Sequence, residues 1–79
     1  LHLVGSTDLH ILGRALHTLG LYEEVTAHLR RYRELVERVI DHLPATAYEL
    51  PYHRLDLARA NAEIARRDEV MRRVRSARP

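Results

Sequence analysis

The chain has 79 residues, of which 46% are hydrophobic and 30% charged, and its net charge is +2. This is one domain or a piece of one, too apolar for a disordered segment, and a chain so short buries only about 60% of the surface it exposes when unfolded. It contains no Cys, which excludes disulfides, thiolate metal sites and Cys nucleophiles, and no apolar run approaches the roughly 18 residues that span a bilayer.

All 13 basic residues are Arg, a bias that a GC-rich coding sequence explains. Their distribution is uneven. Residues 1–53 carry five Arg against seven acids, and residues 54–79 carry eight Arg against four. This asymmetry is the one compositional hint of an anionic partner. No signal peptide is visible, so a cytoplasmic location is the expectation. The chain begins at Leu1 and not at Met, as an excised segment of a larger protein would.

In chain order, Leu1 to Gly5 is short and apolar and reads as the end of a preceding helix. Ser6, Thr7 and Asp8 supply a helix start, because their oxygens accept from free N–H groups and Asp8 favours the positive end of the dipole. Leu9, Leu12, Leu16 and Leu19 recur at three and four residues, the spacing of one helix face. This predicts helix A over 7–19. Gly20 can adopt a positive φ and end that helix. Val25, Leu29, Tyr32, Val36 and Val39 continue the rhythm and predict helix B over 21–42, returning antiparallel to the first. Arg30 with Glu34, Glu34 with Arg38 and Arg33 with Glu37 are each four apart and support its exposed face by ~0.2–0.5 kcal/mol per pair. Pro44 pushes the residue before it out of the α region and stops the helix, so 43–50 is a linker.

The stretch Leu12-Gly13, Leu16, Gly20-x-Tyr22-x-Glu24-Val25, Leu29 resembles the tetratricopeptide repeat. The resemblance covers about 25 residues. It implies that Gly13 lets two helices approach closely, that Tyr22 plugs the base of the hairpin, and that the first helix of each hairpin lines a concave binding face. The chain departs from the family pattern at Val25 and Tyr32, where smaller residues are usual. The Lys and Asn clamp that the family uses for peptide C-termini has no counterpart here.

Pro51 suits the first turn of another helix. From Tyr52 to Ala77 two readings stand. In one, helix C over 51–65 turns at Arg66-Arg67 and helix D runs over 68–77. Leu57-Ala58 and Asp68-Glu69-Val70 then form a weak echo of the first hairpin. In the other, C and D are continuous, and Leu57, Ala60, Ile64, Met71 and Val74 form a buried stripe interrupted at Arg67. The absence of a turn residue near 66 favours the second, and the echo favours the first.

Chemistry is sparse. Six His suggest a metal, but His10 and His17 have Arg14 between them, and Glu24 and His28 lack a second local His. No metal site and no cofactor is expected. Ser6 and Ser76 lie in no nucleophile motif, and Glu23-Glu24 and Asp68-Glu69 read as first-turn acids. The chain is not expected to be an enzyme. Tyr22, Tyr32, Tyr48 and Tyr52 read as packing residues.

These observations predict an all-α single unit over 1–79, made of antiparallel helical hairpins. It is either a tetratricopeptide-like repeat or a small three- to four-helix bundle. The expected function is protein–protein interaction or scaffolding, with a protein or peptide partner of acidic character. His10, Arg14, His17 and Arg59 are the expected binding residues, exposed on one side, where a cationic stripe recognises carboxylate or phosphate. Two alternatives remain. One is a self-associating bundle, that is, a homo-oligomer. The other is a regulator segment associated with nucleic acid through the Arg-rich end, disfavoured because no aromatic residue accompanies those Arg. No membrane partner is expected.

Overall fold

The computed structural model describes the backbone of residues 4–77 and the side chains of residues 10–77. Two helices make up the fold: α1, Val4–His42, and α2, Leu50–Ser76. They pack antiparallel as one all-α hairpin measuring 68 × 19 × 14 Å. The shortest dimension is little more than one helix with its side chains, about 10–12 Å. The hairpin is therefore a single layer.

The shared seam follows from the sequence. On α1, Leu19, Tyr22, Thr26, Leu29, Val36 and Ile40 are buried or half-buried. On α2 the same holds for Leu50, Leu57, Ala60, Ile64, Arg67 and Met71. Both sets keep alternating steps of three and four, with Arg33 and His53 completing them. This is the 3.5-residue repeat of coiled-coil packing. Val36, Leu50, Ala60, Ile64 and Met71 are the buried apolar residues, each at most 7% exposed. Thr26 is the buried polar one, and its hydroxyl donates to the Tyr22 carbonyl at 2.8 Å.

The expected break between helices A and B is not there. α1 runs through Gly20 without interruption, and no glycine among the described residues has a positive φ. A helical Gly costs only about 0.5–1 kcal/mol relative to Ala. The seam crosses Gly20 in step, with Leu19 before it and Tyr22 after it, so a straight helix keeps both sides of Gly20 against α2. Gly13 makes no close helix approach either: a Cβ built at Gly13 or Gly20 meets nothing within 4 Å. The turn on which the repeat resemblance rested is thus absent, and a two-helix hairpin does not by itself indicate such a repeat. Helix A was also expected to start at 7, whereas α1 begins at Val4. Of the expected helix remnant at Leu1–Gly5, residues 1–3 lie outside the described residues, and Gly5 belongs to α1.

The chain reverses between Leu43 and Glu49. Two successive turns, closed by Ala47 N–H to the Pro44 carbonyl at 2.9 Å and Leu50 N–H to the Ala47 carbonyl at 3.2 Å, carry it round. Pro51 then occupies the first turn of α2. From there the helix continues through Arg66-Arg67, so the continuous reading of C and D describes it. The reading with a turn at 66–67 does not.

The expected core is only partly present. Val36 is buried and Leu29 half-buried, but Leu12 and Leu16 are 53% and 59% exposed. Leu16 lies beside Val74 and Arg75 but one position past the seam, and for Leu12 the reason is length. α1 has 39 residues and α2 has 27, so the N-terminal part of α1 runs past the level at which α2 ends.

Because Gly20 is helical and nothing lies where its Cβ would go, Gly20→Ala should stabilise the hairpin by about 0.5–1 kcal/mol. Chemical denaturation measures this directly. A destabilised variant would restore the turn.

Candidate functional site

The hairpin has two unlike flanks. Along one, charged side chains bridge the helices: Arg30 pairs with Asp68, and Arg75 approaches Glu23 at 3.7 Å. Beside them the Arg33 guanidinium donates to the Asn61 amide oxygen at 3.4 Å. Exposed pairs such as these contribute little individually, but they tie the two helices together along that flank.

The other flank is apolar on α1. Leu21, Val25, Tyr32, Leu35 and Val39 lie there, each between 42% and 57% exposed. They repeat at four, seven, three and four residues, with His28 filling the gap. They form a second stripe, one position N-terminal to the seam and turned about 100° from it. Across from it, α2 contributes Asp56, Arg59 and Glu63. These line a shallow open surface together with Leu29, Tyr32 and Ala60. The Tyr32 hydroxyl donates to Asp56 Oδ2 at 3.5 Å, which ties the two rows to the same side.

The expected binding residues are all exposed, but they do not form one group. His10, Arg14 and His17 line one open surface with Gly13 and Thr18. Arg59 stands opposite Leu29 and Tyr32, at least twelve residues further along α1, a rise of about 18 Å. The expectation placed Arg59 on the same side through the echoed hairpin register, and that register does not exist. Among the described residues no three His, Asp or Glu side chains converge as metal ligands. No described helix is long and apolar enough to cross a membrane.

The basic end of α2 is largely paired. Glu63 accepts from Arg66 and, at 2.9 Å, from Arg67 Nε. Glu69 does the same for Arg72 and Arg73 one turn or so later. The expectation of a free Arg cluster therefore holds less charge than the sequence suggests; Arg78 lies outside the described residues. Arg67 is the half-buried member of this group. Its guanidinium lies 4.4 Å from the centroid of the Tyr22 ring and donates to the Tyr22 carbonyl at 3.4 Å. Tyr22 is therefore a seam residue covered by Arg67, not the plug of a turn. Its hydroxyl is buried without a hydrogen-bond partner.

What the sequence reading missed is the second apolar stripe. Its signal was present: the run Val25, Tyr32, Val39 sits seven apart, one position before Thr26, Arg33 and Ile40. Merging both runs into one helix face concealed that there were two.

The paired carboxylates give a pH dependence with a definite sign. Hydrogen bonds from Arg66 and then Arg67 hold the Glu63 carboxyl down to about 2, against an ordinary 4.5. Bonds from Arg72 and then Arg73 lower Glu69 as well. A depressed carboxylate stabilises the fold fully above its ordinary value, and that contribution is lost as pH falls through the folded one. The helicity of α2 should therefore drop between pH 4.5 and about 2, and Glu63→Gln should flatten part of that drop. Circular dichroism against pH measures both.

No protein-family model matches this chain, and neither a curated protein nor a solved structure does.

Proposed function

We propose that this chain is a non-catalytic interaction segment that docks another protein surface through the apolar flank of α1. The observation that carries this is the exposed row Leu21, Val25, Tyr32, Leu35 and Val39. Single exposed apolar residues are ordinary on a protein surface; contiguous apolar patches above a few hundred Å² mark binding sites. Here the row follows a strict helical rhythm, interrupted once at His28, and borders a flank whose charges are spaced one turn apart. A helix that presents two apolar stripes has two helical neighbours to satisfy, and α2 supplies one.

The N-terminal part of α1 supports the same reading. Ile11 and Leu12 are 59% and 53% exposed, and Leu16, beside Val74 and Arg75 at the end of α2, is 59% exposed. The stripe His10, Arg14 and His17 lies on that part too, as a polar border to the apolar positions. The Arg-rich end of α2 is less suited to nucleic acid, because phosphate binding draws on unpaired Arg and Glu63 and Glu69 each hold two of these.

A photo-cross-linking residue at Leu35 should form a protein adduct in high yield, and one at Arg31, on the opposite exposed face, should not. Equal and low yields at both positions would remove the reading. Leu35→Arg should abolish the adduct from a cross-linker placed at Val39 while leaving the helicity of the hairpin within a few per cent of its original value, since Leu35 lies outside the seam.

A further inference from the structure

The reading above leaves the occupant of the apolar flank open. We propose that it is a second copy of this chain, laid across the first about a twofold axis perpendicular to the helices, so that α1 covers α1 and α2 covers α2. The inference rests on the docking reading and adds the partner and its orientation.

The first argument is area. The chain exposes 6594 Å² at a mass of 9.2 kDa. A compact monomer of that mass exposes roughly 4,900 Å². The excess of about 1,700 Å² per chain exceeds the roughly 800 Å² per partner of a standard stable interface. It reaches the range of obligate dimers. One added layer removes such an excess, because the hairpin is only 14 Å thick.

The second argument is charge, and it selects the orientation. Along the open flank, α2 presents Tyr52, Asp56, Arg59, Glu63, Arg66 and Val70 at alternating steps of four and three. The row reads apolar, minus, plus, minus, plus, apolar. Reversed and laid on itself about residue 61, it pairs every charge with its opposite. Asp56 meets the second copy's Arg66 and Arg59 meets its Glu63, both joining the Glu63–Arg66 pair already present within each copy, and Tyr52 meets its Val70. Such a pattern complements its own reverse, as an isologous interface requires.

The apolar row of α1 is symmetric in the same way about residue 30. Leu21 falls opposite Val39, Val25 opposite Leu35, and His28 opposite Tyr32. The two centres lie close together in the hairpin. Tyr32 beside Asp56, Arg33 beside Asn61 and Arg30 paired with Asp68 put residue 30 opposite the stretch 58–68, whose middle, 63, lies about 3 Å along the helix from residue 61. One axis therefore serves both rows. The competing arrangement, with the axis along the helices, lays the apolar row of each α1 over the charged row of the other chain's α2. That removes the Asp56 carboxylate and the Arg59 guanidinium from water with no opposite charge facing them, which is costly.

The test uses the whole chain. Sedimentation should find twice 9.2 kDa at micromolar concentration. Arg59→Glu and Glu63→Arg, each alone, set like charges against each other at two related places, and each should raise the dissociation constant at least tenfold. Combined in one chain, they should return it to within about threefold of the original. Circular dichroism checks that the variants remain helical. Spin labels at Arg31 and Arg38, both exposed and off the interface, give an independent readout on the otherwise unchanged flank. About a transverse axis at residue 30, the axial offset between copies is about 3 Å for position 31 and about 24 Å for position 38, so the second distance should be clearly longer. Equal distances, or a charge swap that does not restore affinity, would overturn the orientation. A monomer at all concentrations would overturn the second copy as occupant. In that case a Leu35 adduct with a different protein keeps the docking reading, and no adduct removes it as well.

Discussion

Two helices share one seam, and every property of this hairpin follows from that limit. A helix in a three- or four-helix bundle has neighbours on two sides and buries two stripes. Here α1 has α2 alone, so one stripe is buried and the other is not. The buried one, through Thr26, Leu29 and Val36, is about as protected as a single seam allows, and among the described residues no side chain is fully enclosed. The exposed one, through Val25, Tyr32 and Leu35, has the same helical rhythm without the cover. Burying a large apolar side chain contributes about 1.5–3 kcal/mol. Four such residues, Val36, Leu50, Ile64 and Met71, against the ordering of two long helices leave a small margin. A second layer on the exposed stripe would widen that margin, so binding and stability are linked through the same residues.

The polar members of the seam set how the helices meet. Thr26 returns its hydroxyl to the Tyr22 carbonyl, which also accepts from Arg67. Arg67 spreads over the Tyr22 ring and holds Glu63 with its Nε. An arginine at a seam position covers an aromatic face with its planar group and keeps part of its charge near solvent. This cluster fixes the level of α2 against α1 near one end of the contact. Arg33 and Asn61 do so near the middle. Register follows from these pairs as much as from apolar packing, since Ala60 and Ile64 alone fit more than one level.

The two flanks divide the labour of the surface. Ion pairs between Arg30 and Asp68, and between Arg75 and Glu23, close one edge. The opposite edge places Tyr32 beside Asp56 and leaves Arg59 facing outward near it. A flank of alternating charges next to an apolar row discriminates among partners by sign and spacing, while the apolar row supplies the buried area.

The helical class, the stop at Pro44 and the reversal before Pro51 were legible in the sequence, and the continuous stripe from Leu57 to Met71 was one of the two readings it allowed. Each depends on local chemistry: the missing N–H of proline, or the three-and-four spacing of apolar side chains. The exposure of His10, Arg14, His17 and Arg59 was legible for the same reason. Three features were decided by tertiary structure. Gly20 is a turn residue by propensity, yet it is helical, because its permitted positive φ is worth less than keeping Leu19 and Tyr22 in one seam. Leu12 and Leu16 look like core residues, yet they are exposed, because burial depends on whether α2 reaches the level of Leu12 and on which position of the helix faces α2, which at the level of Leu16 is Ala15. Arg59 is separated from His10, Arg14 and His17 because a site across two helices depends on their register. A local pattern specifies which face of a helix is apolar. Which face meets another helix, and over what length, is set by the single seam the two helices share.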